Sequence, residues 1–541
     1  MKMKNKAVEK NTVIGVDVGS GSVRAGIFDL SGHLLAHATR PITTFRSAGN
    51  KVEQSSNEIW QTVCQSIGEA VGAAGVAPAS VSGIGFGATC SLVVLGRGGE
   101  PLPVGDITQP ERNIIVWMDH RATEQAERIN ETQHPVLQYV GGKMSPEMET
   151  PKILWLKENR REIYDSAWQF FDLADFLTWR ATGDLVRSTC TVTCKWTYLA
   201  HEKRWEPDYF RIIGLNELAD EEFVRIGQNI KEPGTPCGQG LSAMAADEMR
   251  LPVGTPVAIG MIDAHAGGIG TAGIDNGALH NLAWVFGTSA CTMTSTENPV
   301  YIPGVWGPYY SAMVPGMWLS EGGQSVAGAA IDQLATFHPA AGEAKEQAQA
   351  LNVPLPVYLA DLALAKITDP SRAIELARGL HVVPEFLGNR APFADPEARA
   401  VIAGLGMERD LDNLIALYIA GLCGIGYGLR QIIDAQHQQG VKTDKIVISG
   451  GAGQHPLVRQ LLADACQQPI ITTQCSEPVL LGSAILGAVA GDVASTVHEA
   501  MTLMTKLDRQ FEPQEAYRQT HQSRYESYKL LQQTARAIRN N

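Results

Sequence analysis

The chain is short of positive charge: 44 Lys and Arg face 57 Asp and Glu, a formal net charge of −13 at pH 7. That sign excludes a surface dedicated to nucleic acid or to anionic lipid. Cysteine is sparse and unpaired. Its nine residues show no CxxC spacing, which argues against a disulfide framework and a structural zinc site and fits the reducing cytoplasm. Long hydrophobic runs are also missing. The longest, from Leu414 to Leu429, falls short of a membrane span and is interrupted by Gly421, Gly424, Gly426 and Gly428. It reads as a buried helix whose glycines let another backbone approach. The basic start MKMKNKAVEKNT runs into VIGVDVG, too short and too acidic for a signal peptide. No short-period repeat and no GxxxxGK[ST] phosphate loop is present. A cytoplasmic protein with neither a membrane nor a nucleic-acid partner is expected.

What is present is ordinary globular material. The 541 residues are 44% hydrophobic and 19% charged, enough for large cores in two to four domains. β-branched residues predict strands over 13–18, 23–30 and 33–39, joined by turns at 19–22 and 31–32 into an antiparallel meander. A helix is expected over 58–73, strands over 81–86 and 113–118, and helices over 121–130, 152–159 and 174–182. A similar order begins again later: a strand over 281–286, a turn at 287–289, and a strand over 291–295. A strand over 445–449, a glycine turn and a helix over 456–466 follow. The echo suggests two related α/β lobes, with a glycine-dense hinge at 265–280. From Asp508 the chain turns polar, as in a solvated closing helix.

Three glycine turns carry the first chemical signal. In Asp17-Val18-Gly19-Ser20-Gly21-Ser22-Val23-Arg24, small residues between two strands expose successive N–H groups that suit phosphate oxygens. Asp17 at the strand end has the hard oxygen donors that suit Mg²⁺. Gly287-Thr288-Ser289 repeats the hairpin turn, and Gly450-Gly451-Ala452-Gly453-Gln454 lies between a buried strand and a helix start. Together they describe a nucleotide gripped between two lobes. Asp263 ends an apolar strand beside small residues. A carboxylate there either caps the next helix or takes the proton of an attacking hydroxyl. His265 reads as structural.

These turns and Asp263, in this order, resemble the FGGY family of carbohydrate kinases. The likeness runs from about Thr12 to Gly491 and includes Trp117-Met118-Asp119-His120-Arg121, Lys152 to Leu156, Glu321-Gly322-Gly323-Gln324-Ser325, and Gly424 to Arg430. Residues 400–413 fit the family signature more loosely, with bulky Leu417 beyond it. The resemblance implies a duplicated α/β fold of the actin/hexokinase/Hsp70 (ribonuclease H-like) type with ATP in the interlobe cleft. It implies a tail over 1–11, an N-terminal lobe over 12–270, a C-terminal lobe over 271–495 and a helical tail over 496–541. Asp263 then matches the catalytic base, and Asp17 the Mg²⁺-associated residue. ATP is implied to meet Asp17, Gly19, Ser20, Gly21, Ser22, Arg24, Gly287, Thr288, Ser289, Gln324, Gly450, Gly451, Ala452 and Gln454.

The sugar loop Gly87-Ala88-Thr89-Cys90-Ser91-Leu92-Val93 lacks the Met-His pair of xylulokinase-like members and resembles the ribulokinase and ribitol-kinase-like branch. Lys195, in Thr191-Val192-Thr193-Cys194-Lys195-Trp196, is similar to that branch's substrate lysine; the lesser alternative is a surface lysine on a hairpin. Thr89, Cys90, Trp117, Asp119, Arg121, Lys195, Asp263 and Glu321 are the implied sugar contacts. The expected activity is ATP-dependent phosphorylation of the C5 hydroxyl of D-ribulose. Kinases of L-ribulose, ribitol, erythritol, glycerol or D-xylulose are the alternatives, and an actin-like ATPase is a further one. A homodimer is the oligomer the family suggests.

Overall fold

The computed structural model describes residues 9–539. Most of the expected N-terminal tail and the last two residues therefore lie outside the described residues. The strand Thr12–Val18 is buried along its whole length, as its β-branched sequence dictates. It pairs antiparallel with Ser22–Asp29, which pairs antiparallel with Leu34–Pro41. On its other side Val81–Ala88 joins in parallel, followed in parallel by Met261–Ile262. The second half repeats this pairing. Asn281–Phe286 pairs antiparallel with Ala290–Thr296, and that strand with Trp318–Gln324. Lys445–Ser449 and then Ile470–Thr473 extend the sheet in parallel. The molecule is thus a duplicated two-lobed α/β structure of the actin/hexokinase/Hsp70 type. Edge strands Trp306–Tyr310 and Leu507–Phe511 widen the second sheet to seven.

The expected strand over 113–118 is only Ile114–Ile115, inside a separate five-stranded sheet of the first lobe. The glycine-dense segment is not a hinge loop either. Asp263–Ala272 is a helix, buried from His265 onward, and it crosses the helix Pro478–Ala490 at backbone contact. A Cβ on Gly270 would lie 2.0 Å from the Pro478 oxygen, and one on Gly482 would lie 1.8 Å from the Ala266 oxygen. The same distal helix lies on the first sheet, where Gly15, Gly83 and Gly85 leave room for the carbonyls of Leu480, Gly487 and Ser483. These glycines admit close packing rather than bending.

The apolar helix Leu411–Gln438 is long enough to cross a membrane, yet it is buried over most of its length. Its Gly424 admits the Val382 carbonyl, which a Cβ would meet at 2.3 Å. The end of the chain departs from expectation. Leu507–Phe511 is an edge strand, and the helix Arg518–Arg539 buries Tyr525, Tyr528 and Gln532. Their spacing of three and four residues makes one inward face, so this helix is docked rather than solvated.

Candidate active site

The cleft between the sheets gathers residues that the sequence holds far apart. Asp263 follows the strand Met261–Ile262 directly and opens the helix Asp263–Ala272. Its Oδ1 accepts the Ala264 N–H at 2.7 Å, and the cap position belongs to Ile262, so the carboxylate is not serving as a helix cap. Desolvation, with the charge of Asp17 added, pushes Asp263 up to about 7. A carboxyl that titrates near neutrality suits proton transfer.

Lys195 lies in the last turn of the helix Thr189–Trp196 and is buried, not on a surface hairpin. Ser188 caps that helix by accepting the Cys190 N–H at 3.2 Å, and Asp175 accepts from Thr191 Oγ1 at 2.6 Å. Burial opposes the ammonium, but neighbouring acidic groups, of which Glu321 is the ionised one, outweigh it and hold Lys195 above the usual lysine range. Glu321, on the strand Trp318–Gln324, accepts from His265 Nε2 at 3.2 Å and from Arg390 Nη2 at 3.1 Å. Burial would raise Glu321, but the His265 hydrogen bond and Lys195 bring it down to about 2. Desolvation likewise opposes the His265 cation, yet Cys190 and Glu321 raise it to about 10. His265 is therefore structural in a specific sense: it fixes the rotamer and charge of Glu321. Both Lys195 and Arg390 approach the ring of Trp306, at 5.1 and 4.4 Å from its centroid.

At the phosphate end, Gly19 donates to Ser22 O at 3.0 Å and Gly287 to Ser289 O at 2.9 Å, closing a hairpin turn in each lobe. Among the described residues, the amides of Ser20, Gly21, Thr288 and Ser289 find no acceptor and remain available to an anion. Arg24 pairs with Asp17 and with Glu477, the latter at 2.5 Å. Desolvation raises Asp17 against the opposing pull of Arg24. Asp263 feels the charge of Asp17, and the hard oxygens of Asp17 are of the kind that fits Mg²⁺. A cavity of about 470 Å³ opens from Gly287 and Thr288 to Gly451, walled by Phe286, Val357 and Tyr418. Gly450, at φ 97°, lies where a Cβ would meet the Phe286 oxygen at 2.4 Å. Gln454 is exposed beside it, and the side chain of Ala452 lies outside the described residues.

Several expected contacts are engaged elsewhere. Asp119 and Arg121 are buried and bonded to each other at 2.7 and 2.9 Å, with Arg121 also reaching Glu53 and the Val104 carbonyl. The Val52 N–H also donates to Asp119 Oδ2, at 2.6 Å. The polar groups of this pair tie the five-stranded sheet to the loop that bears Trp117. Trp117 itself donates from Nε1 to Ser20 Oγ at 2.9 Å, bracing the phosphate turn. Gln324 gives its amide N–H to the Ile425 carbonyl at 3.0 Å, away from the Gly287–Thr288 cavity, because the core helix passes beside it. Thr89 bonds Ser91 at 3.1 Å, and Cys90 is a neutral thiol raised by burial. Arg390, Trp306 and Glu477 escaped the sequence reading. Their one local signal is a nearby proline: Trp306 and Arg390 lie two residues before one, with a glycine close by, and Glu477 directly precedes Pro478.

Residues 12–270 match the model of the N-terminal domain of the FGGY family of carbohydrate kinases, and residues 282–491 that of the C-terminal domain. A human FGGY carbohydrate kinase domain-containing protein is 43% identical over 530 residues, 96% of this chain and 95% of its own. The D-ribulokinase of Saccharomyces cerevisiae is 38% identical over 528 residues, 92% of this chain and 74% of its own. Among solved structures, xylulose kinase from Rhodospirillum rubrum superposes with a TM-score of 0.81 at 20% identity. It covers 98% of this chain and 100% of its own.

Proposed function

Since the chain belongs to the FGGY family of carbohydrate kinases and is a sugar kinase, we propose that it phosphorylates the C5 hydroxyl of a ketopentose, D-ribulose, from ATP. The observation that carries this reading is the convergence of Lys195, Glu321 and Asp263 on one cleft. Lys195 Nζ donates to no protein acceptor among the described residues and faces the Trp306 ring, which leaves an ammonium for the C2 carbonyl that a ketose offers and a polyol does not. Identity to the yeast D-ribulokinase supports the choice of sugar.

In this mechanism Asp263 orients the terminal hydroxyl and takes its proton as the γ-phosphoryl group arrives in line. The free amides of Ser20, Gly21, Thr288 and Ser289 receive the phosphate oxygens where charge spreads in the transition state. Asp17 would hold Mg²⁺, which supplies charge neutralisation to the phosphates when bound. The adenosine would occupy the cavity between Thr288 and Gly451. Trp117 and the Asp119–Arg121 pair keep the Ser20 turn and the sugar loop in place.

ADP release from MgATP, measured against D-ribulose, L-ribulose, D-xylulose, ribitol, erythritol and glycerol, tests this reading. Turnover is expected with D-ribulose above the rest. Lys195→Ala should raise its KM roughly 10- to 100-fold, the worth of a charged hydrogen bond. Preference for a polyol, or an unmoved KM in Lys195→Ala, would overturn the ketose assignment. ATP hydrolysis indifferent to every sugar would favour an actin-like ATPase cycle.

A further inference from the structure

We propose that Arg390 is a second-lobe sugar-binding residue and that the C-terminal helix Arg518–Arg539, which lies beyond the C-terminal family domain, is the strap that positions it. The proposal rests on the reading that the cleft of Lys195, Glu321 and Asp263 holds the sugar.

Arg390, from the second half of the chain, reaches the Glu321 carboxylate and the same Trp306 ring that Lys195 faces. Its Nη2 donates to Glu321 Oε1 at 3.1 Å and its Nη1 to Cys291 Sγ at 3.5 Å. Two of the five guanidinium N–H groups are thereby used, and among the described residues the rest meet no acceptor. The ring of Trp306 lies beneath both Arg390 and Lys195, so a sugar between these cations would meet one apolar wall and donors from both lobes. A guanidinium presents paired donors in a rigid fork, which suits adjacent hydroxyls of a sugar chain better than a point-like ammonium does.

A loop of irregular backbone carries Arg390, and this loop is tied down at both ends by the helix. Asn389, next to Arg390, gives its side-chain amide to Glu385 Oε1 at 2.6 Å, and Gln532 of the helix reaches the same oxygen at 2.5 Å. Asn389 and Asp395 exchange two backbone hydrogen bonds of 2.8 Å, closing the loop upon itself. Asp395 in turn pairs with Arg539 at 2.8 Å and Arg536 at 3.3 Å. Arg536 also covers the Phe393 ring, 3.6 Å from its centroid. Glu385 and Asp395 thus bracket Arg390 in the sequence, and both answer to the same face of the helix. Gln532, Arg536 and Arg539 follow each other at spacings of four and three, one stripe along a helix. Positioning residues of this kind act through geometry: a guanidinium displaced by an ångström loses its bonds to the substrate.

The test uses the full chain and four variants. Arg390→Ala is expected to raise KM for the sugar roughly 10- to 100-fold while KM for ATP stays within about twofold. Added guanidinium at low millimolar concentration should restore part of the loss, and Arg390→Lys should fall between. Gln532→Ala and Asp395→Asn, which keep the Arg390 side chain but loosen the loop that carries it, should speed amide hydrogen exchange across 385–395 and raise the sugar KM several-fold. An unchanged sugar KM in Arg390→Ala, or an equal rise for ATP, would overturn the binding role. Exchange at the parental rate in both strap variants would overturn the positioning role. If the parent protein turns over none of the sugars, the reading of the cleft has failed, while the exchange measurement still decides the strap.

Discussion

Asp263 shows how much one residue's chemistry depends on its neighbours. As a strand-end carboxylate it is unremarkable in sequence, and an isolated Asp is ionised at any neutral pH. In the cleft, desolvation and Asp17 push it up to about 7, so the protonated form persists through weakly acidic pH. A base must be ionised to accept a proton. The sugar-dependent kcat/KM should therefore rise with unit slope up to about pH 7 and level off above, when followed from pH 5.5 to 9 with the free enzyme's groups in view. A profile flat down to pH 5.5 would remove Asp263 from that role. Asp263→Ala should lower kcat by roughly a thousandfold, within the range for a lost general base, with ATP affinity little altered. His265, by contrast, sits two positions along and was legible only as a buried histidine. Its work depends on Glu321, 56 residues away, and no local pattern joins them.

At the scale of elements, local preference and tertiary context disagree in an instructive place. Thr189, Thr191, Val192 and Thr193 are β-branched and disfavour helix. They are helical here because Ser188 caps the first turn, Thr197 ends the last at φ 65°, and Asp175 accepts from Ser188 N–H and Thr191 Oγ1. The result puts Lys195 into the cleft. The opposite case is the pair of crossing helices, where glycine spacing was visible but its purpose was not. Gly482→Ala should be costly, since its Cβ would fall 1.8 Å from the Ala266 oxygen and the backbones must separate. A loss of about 3 kcal/mol or more, or failure to accumulate as folded protein, is expected. Gly72→Ala is the control: nothing lies within 4 Å of its added Cβ on the exposed side of the helix Ser56–Ala74. It should stabilise by about 0.5–1 kcal/mol. Comparable melting temperatures for the two variants would contradict the backbone crossing.

Across the whole molecule, the two lobes are joined by helix packing and by ion pairs. The crossing helices, with Pro478–Ala490 laid on the first sheet, form the packed part. Arg24 to Glu477 and His265 to Glu321 are ion pairs between the first half of the chain and the second. A molecule arranged in this way can close about the fixed crossing while its phosphate turns approach one another. Sugar together with a non-hydrolysable ATP analogue should therefore reduce the radius of gyration in solution scattering, more than either ligand alone. Equal values in all four states would contradict closure.

The duplicated α/β lobes, the three glycine turns and the strand-end aspartate were legible in the chain before it folds. Each of these depends on neighbours within a few residues: alternation and β-branching make the strands, and small residues open the turns. The sequence also marked Lys195 and Glu321 as candidates through their likeness to a kinase family. Only the tertiary structure decided that Asp119 and Arg121 satisfy each other in the core and that the dense glycines are a helix crossing. The same holds for the terminal helix, whose inward face reaches the loop of Arg390. The physical reason is common to these cases. A side chain's available hydrogen bonds are whatever its spatial neighbours leave unused, and those neighbours come from distant segments: Glu385 and Gln532 are 147 residues apart, and Arg24 and Glu477 are 453 apart.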